Sequence, residues 1–220
     1  MPQVPQLLQR YPTAGASDVR AFGVFLLSAV ACLGLSATYH TVSSHSHRIA
    51  RLGNQLDYVG IVVLIVGSYI PTVHYGFHRC HPALGRAYSA AMLLLGAACA
   101  VVALTPRFRT PAYRPFRAAV FVLLGISGVV PVAHGMRLYG AAALDARIGL
   151  RWVLAEGAIY ILGAGIYAAR VPERWAPGRF DLLGASHQVF HCFVVAAAVA
   201  HLKGLVVAFD FSHDKGAGQC

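Results

Sequence analysis

Charge is what this 220-residue chain has least of: 12% of its residues are Asp, Glu, Lys or Arg, against 57% hydrophobic, and the mean hydropathy is +0.60. Soluble domains carry about a quarter charged residues, so one water-soluble core is excluded and the chain reads as an integral membrane protein. Acidic residues are scarcest, 8 against 18 Lys and Arg, for a net charge of +10. In a soluble protein that excess would suggest nucleic acid. Here the basic residues sit in short loops between apolar runs, with no aromatic-interleaved basic module, so lipid headgroups are the expected counter-charge. The five cysteines (Cys32, Cys80, Cys99, Cys192, Cys220) include no CxxC pair and three lie inside apolar runs, which indicates neither a disulfide framework nor a zinc ribbon. Residues 1 to 20 contain Pro2, Pro5, Arg10, Pro12 and Asp18 but no apolar h-region. No cleavable signal is therefore expected, and the first apolar run does the targeting. Internal repeats, low-complexity segments and a second domain are also missing.

What is present is six apolar runs, at about 21 to 42, 56 to 77, 84 to 104, 116 to 136, 150 to 169 and 184 to 209. Each reaches or approaches the roughly 18 to 20 residues that carry a helix across about 30 Å of hydrocarbon. In lipid the backbone must satisfy itself, so the expected fold is an all-α polytopic membrane bundle. Residues 1–20 form a short polar segment, 21–209 the six-helix bundle and 210–220 a tail. The connections carry the punctuation, at Gly53-Asn54, His81-Pro82, Thr105-Pro106 to Arg114-Pro115, Gly140, and Pro172 with Pro177-Gly178. An even number of crossings puts both termini on one side. Lys and Arg divide nine to nine between the two sides, so the positive-inside rule does not decide orientation. Connection three, with Arg107, Arg109, Arg114 and Arg117, is the densest basic loop and is read as cytosolic.

The last run opens Ser186-His187-Gln188-Val189-Phe190-His191. On a helix, residues four apart share a face, so His187 and His191 can point both imidazoles at one spot, which is a metal-ligand spacing. Two polar rings at the mouth of a membrane segment are costly unless something engages them. The first run ends Ser36-Ala37-Thr38-Tyr39-His40 and the second opens Gln55-Leu56-Asp57-Tyr58. With six crossings these places border the same membrane face as His187, so His40, Asp57, His187 and His191 can meet at one depth. Ser36 lies one turn from His40 on the same helical face.

Three neutral histidines around Zn²⁺ leave a fourth position for water, the open pattern of a catalytic rather than a structural site. A carboxylate beside it, Asp57, could take the proton of that water and return it to a leaving group, or orient a ligand from outside the shell. Ser36 could hydrogen-bond the water or a substrate oxyanion. In the hydrocarbon layer the fitting substrate is a lipid amide or ester whose tail occupies the bundle.

Each residue also has a plainer role. A lone buried histidine is usually a hydrogen-bonded core residue. Ser36 among Gly34 and Ala37 suits helix packing. Asp57 suits the positive end of its own helix. His45, His47, His78, His81 and His213 fall in connections or the tail and are expected to be solvated. His74 and His134 fall at the opposite face, and His201 lies ten residues beyond His191, about 15 Å at 1.5 Å per residue, out of reach of the same ion. Glu156 is an intramembrane carboxylate expected to snorkel or to pair with Arg151 or Arg137. Gly125, Gly128, Gly163 and Gly165 read as close packing or local flexing, and Pro131 as a kink.

These residues resemble the progestin and adipoQ receptor family, which includes the adiponectin receptors, their fungal relatives and, more distantly, haemolysin III-type proteins. The matching strings are Ser36-Ala-Thr-Tyr-His40-Thr-Val, Leu56-Asp57-Tyr58-x-Gly60-Ile61, Ser127-Gly-Val-Val-Pro131-x-x-His134, Tyr167-Ala-Ala-Arg-x-Pro172-Glu173-Arg174, Pro177-Gly178-x-Phe180-Asp181 and Ser186-His-Gln-x-Phe-His191. They run in order from about residue 20 to residue 205, and the adiponectin-receptor branch is the nearest in pattern. The resemblance implies a seven-helix bundle with a cytosolic amino terminus and zinc near the cytosolic face. It places the family's zinc-binding histidines at His40, His187 and His191, its acidic residue at Asp57 and its serine at Ser36. It also implies zinc-dependent hydrolysis of ceramide to sphingosine and fatty acid, as in the adiponectin-receptor branch, or zinc and lipid homeostasis, as in fungal relatives. The family's first helix has no counterpart in residues 1 to 20, which implies a shortened gene model or an alternative start. Glu156 stands where the adiponectin receptors look apolar, so the resemblance gives it no role.

The leading expectation is an intramembrane zinc hydrolase acting on a ceramide-like amide, with Zn²⁺ as cofactor and a membrane lipid as partner. The main rival is a receptor, with an unidentified extracellular ligand, in which zinc is structural. A zinc transporter or sensor would want ionisable groups spaced along a path through the bilayer, and these cluster at one end. An inactive short form, or one associating with a full-length relative, is a further reading.

Overall fold

A computed structural model describes residue 6 and residues 9–180 and 183–214, and among them no strand occurs. Pro2, Pro5, Asp181, Lys215 and Cys220 lie outside the described residues. The main helices are α1 (Ala16–Val42), α2 (His47–Phe77), α3 (Pro82–Leu104), α4 (Arg114–Ile126), α5 (Val129–Tyr139), α6 (Ala141–Ile148), α7 (Leu150–Ala169) and α8 (Ser186–His213). Among the described residues six spans are long and apolar enough to cross a bilayer, α4 and α5 together making one of them, so the protein is a multi-pass membrane protein and the expected bundle is the fold adopted.

Large apolar side chains such as Leu27, Leu94, Val101 and Leu154 point outward, 61 to 73% exposed. In a bilayer they meet acyl chains rather than water. The inward faces carry the aromatic core, with Phe22, Phe25 and Phe209 almost wholly buried together with Leu64, Val194 and Leu205. The closest helix pairs are α1 with α2 and α7 with α8.

Helix bounds differ from the sequence expectation in four places, each with a local cause. α1 starts at Ala16 rather than 21, because Asp18 turns back to accept from Gly15 N–H at 2.9 Å, and Tyr75 O–H donates to it at 3.0 Å. Asp18 is thus buried rather than part of a polar lead-in. α2 starts at His47 behind the N-cap Ser46, whose hydroxyl accepts from the Ile49 N–H at 3.3 Å, so Gly53-Asn54 is helical and not a connection. At 31 residues α2 is about 46 Å long, more than the hydrocarbon layer requires, and its polar first turns suit the interface. The fourth run is broken at Ser127-Gly128, the point four residues before Pro131, where proline has no N–H to give the Ser127 carbonyl. α8 continues to His213, into the segment expected as tail.

Two close approaches set the frame of the site. A Cβ on Gly149, whose φ is +64°, would stand 2.6 Å from the Gly204 Cα, so the start of α7 touches α8 backbone to backbone. Along α1 and α2, Gly53 faces Tyr39 and Gly60 faces Cys32, which brings Asp57 level with Ser36 and about one turn deeper than His40.

Candidate metal centre

α1 and α8 run past one another at the end of the bundle where α1 stops and α8 begins. His40 Nε2 stands 2.8 Å from His187 Nε2, and His191 Nε2 stands 3.1 Å from His187 Nε2. One liganding nitrogen from each of the three rings lies within 4.8 Å of the others, with His40 exposed at the mouth and His187 and His191 half-buried. Between two neutral imidazole nitrogens only one can donate, so three facing nitrogens cannot all be satisfied by each other. A cation accepts all three lone pairs. Zinc–nitrogen bonds of about 2.0–2.1 Å in a tetrahedron put nitrogens roughly 3.3 Å apart, against 2.8 and 3.1 Å for the two pairs made by His187 and no more than 4.8 Å for any pair. The three histidines can therefore hold a metal ion.

Ser36 Oγ lies 3.2 Å from His191 Nε2, one turn further in than His40. Asp57 is 3% exposed, makes no hydrogen bond to a described residue, and lines a cavity that His187 and His191 also line. That cavity measures about 620 Å³, and most of its remaining wall is apolar, including Leu64, Phe121, Ile161 and Val194. A volume of this size suits a lipid-sized ligand. The centre thus has two tiers, His40 with His187 at the mouth and Ser36 with His191 and Asp57 inside. The common depth expected for all four ionisable groups is corrected by that one turn.

The position of His187 is set by a network that sequence reasoning did not identify. Glu173 accepts the Ser186 backbone N–H at 2.8 Å and also the Ser186 hydroxyl, capping α8 from the preceding connection. Arg114 Nη2 donates to Ser186 Oγ at 3.1 Å, and its guanidinium lies 3.8 Å over the Tyr167 ring, which itself sits 5.4 Å from the His187 ring. Burial raises the Glu173 pKa, but the hydrogen bonds from Ser186 outweigh it and hold this carboxyl below its ordinary value. Glu173 and Ser186 were visible within the quoted strings; Arg114 was visible only as one more loop charge.

The remaining titratable groups divide as follows. Glu156 pairs neither with Arg151 nor with Arg137: its Oε2 lies 2.8 Å from His201 Nδ1. Ten residues from His191 on the same helix, His201 takes no part in the cluster. His134 Nδ1 meets Tyr88 Oη at 2.6 Å, and the His74 and His78 rings lie 5.1 Å apart. His213, expected in a solvated tail, is enclosed by Asp18 at 3.3 Å and Thr13 Oγ1 at 2.7 Å. Cys80 is disulfide-bonded, although the cysteine pattern indicated no disulfide framework, while Cys32, Cys99 and Cys192 are free.

Residues 6–202 match the family model described as haemolysin-III related. The chain is 46% identical over 184 residues to the adiponectin receptor protein of Drosophila melanogaster, covering 84% of this chain and 41% of that protein. It is 41% identical over 198 residues to the ADIPOR-like receptor IZH2 of Saccharomyces cerevisiae, covering 90% and 62%. With the heptahelical transmembrane protein ADIPOR2 of Oryza sativa it shares 44% identity over 189 residues, covering 86% and 81%. The chain thus spans about two fifths to three fifths of the length of the fly and yeast relatives.

Proposed function

This chain belongs to the haemolysin-III-related family of adiponectin-receptor-like membrane proteins, and on that premise we propose that it is an intramembrane zinc hydrolase acting on a ceramide-like lipid amide. One observation carries the reading: three histidine nitrogens converge, and two of those histidines, His187 and His191, line an apolar cavity whose wall also holds a buried carboxylate, Asp57. His40, His187 and His191 would hold the zinc, on the cytosolic side. Bound there, zinc supplies Lewis-acid activation of water and of the amide carbonyl at neutral pH.

The chain's own groups do the rest. The cavity takes the acyl chain, which places the amide at the histidines and keeps bulk water from the tail. Asp57, which makes no hydrogen bond to a described residue, accepts a proton from the attacking water as the new C–O bond forms. The same carboxyl returns that proton to nitrogen as the C–N bond breaks, releasing a long-chain amine and a fatty acid. Ser36 donates a hydrogen bond to the oxygen on which charge develops.

The test is metal analysis of purified protein beside His187→Ala and His191→Ala, with fatty-acid release from ceramide measured on the same samples. Equal zinc in all three proteins ends the reading. A receptor with structural zinc is the second reading, supported by the word receptor in the names of the fly and yeast relatives. It requires that zinc be retained and that no fatty acid be released from any ceramide offered.

A further inference from the structure

The Glu156–His201 pair does nothing for the metal centre, yet both residues line the same cavity. Glu156 is 8% and His201 3% exposed, in a segment where an ionisable group is costly and normally has a use. The pairing leaves groups over. Glu156 Oε1 has no partner among the described residues, and His201 Nε2 and the hydroxyl of Tyr160, one turn along α7 from Glu156, are buried without one. A buried polar group without a partner is destabilising, so an apolar pair here would hold α7 to α8 at least as well.

The spacing describes what is missing. His187, His191, Val194 and His201 lie on one stripe of α8, so the cavity runs from the histidine cluster along that stripe to the pair. His191 and His201 are ten residues apart, about 15 Å at 1.5 Å per residue. An extended hydrocarbon chain advances roughly 1.25 Å per carbon, from a bond of about 1.52 Å and an angle near 111°, so about twelve carbons cover that distance. Between the two polar ends the walls are Leu64, Phe121, Ile161 and Val194.

We propose that Glu156 and His201 form a second polar subsite that hydrogen-bonds a hydroxyl borne about twelve carbons along a long acyl chain whose head lies at the histidine cluster. The hydroxyl donates to Glu156 Oε1, the acceptor left open. The subsite rests on the reading of the cavity as an acyl-chain site, and it sets the class of chain the protein prefers: hydroxylated over plain.

The experiment is competition of stearate and a series of hydroxystearates against a fluorescent fatty acid on the purified full chain. Affinity should peak for hydroxyl positions near carbon twelve, about tenfold tighter than stearate, as for one hydrogen bond to a buried acceptor otherwise left unpaired. The Glu156→Leu/His201→Leu double variant, which removes both partners together, should bind stearate within about twofold of wild type and lose the peak. A flat profile on the wild type overturns the proposal, as does a peak that survives in the double variant. If the double variant does not fold, the wild-type profile alone decides. Absence of binding by every acid would remove the acyl-site reading as well, whereas equal binding removes only the subsite.

Discussion

His40 and His187 are 147 positions apart along the chain, yet their Nε2 atoms stand 2.8 Å from one another. One hydrogen bond is the most the polypeptide alone gains from that approach. Two neutral rings meeting nitrogen to nitrogen share one proton at most, and His191 Nε2 is already 3.1 Å from the same His187 nitrogen.

Metal should therefore stabilise the fold measurably. Removing it with a chelator is expected to lower the melting temperature, and zinc at a hundred times its Kd should restore about 2.7 kcal/mol. In His40→Ala the melting temperature should no longer respond to added zinc. Thermal melts in detergent at several zinc concentrations read this directly.

Asp57→Asn should separate metal binding from chemistry. The side chain keeps its volume, so zinc content is expected to match wild type, while amide hydrolysis falls by a factor of about 10² to 10⁴, as for loss of a general base. Metal analysis and fatty-acid release on one preparation check both halves.

The connection before α8 should be acid-sensitive through Glu173. Its folded pKa is lowered, so its stabilising contribution is complete above the ordinary glutamate value of about 4.3 and is lost as pH falls through the lower folded value. Glu173→Gln is expected to flatten that acid limb and to cost about 1 kcal/mol at neutral pH, because the Ser186 N–H and O–H lose a charged acceptor. Unfolding followed from pH 7 down to pH 3 in both proteins gives the comparison.

Glu156 and His201 should be strongly coupled in stability. Either single change to Leu leaves one buried polar partner alone and is expected to destabilise by about 3 kcal/mol, whereas the double change should lie close to wild type. A double-mutant cycle of melting temperatures measures the coupling, and additive effects of the two single changes would contradict the buried pair.

The helix bounds show where local reading stops. The apolar runs marked every crossing because their length is set by the bilayer. They did not mark α2's first turns, which are polar and depend on the Ser46 cap, nor the start of α1, which depends on Asp18 reaching Tyr75 in another helix. The Ser127 break was implicit in Pro131, since proline acts on its own helix four residues back.

What the sequence determined unaided is the class of protein and the facing of its ligating groups: apolar length dictates helices in lipid, and i to i+4 spacing puts His187 and His191, or Ser36 and His40, on one side of a helix whatever else the chain does. Only the tertiary structure decided which groups meet. Glu156 with His201, Glu173 with Ser186, and Arg114 over Tyr167 each depend on the rotation and axial offset of separate elements. Those are set by packing contacts such as Gly149 on Gly204, whose partners lie far apart along the chain, so no local pattern can encode them.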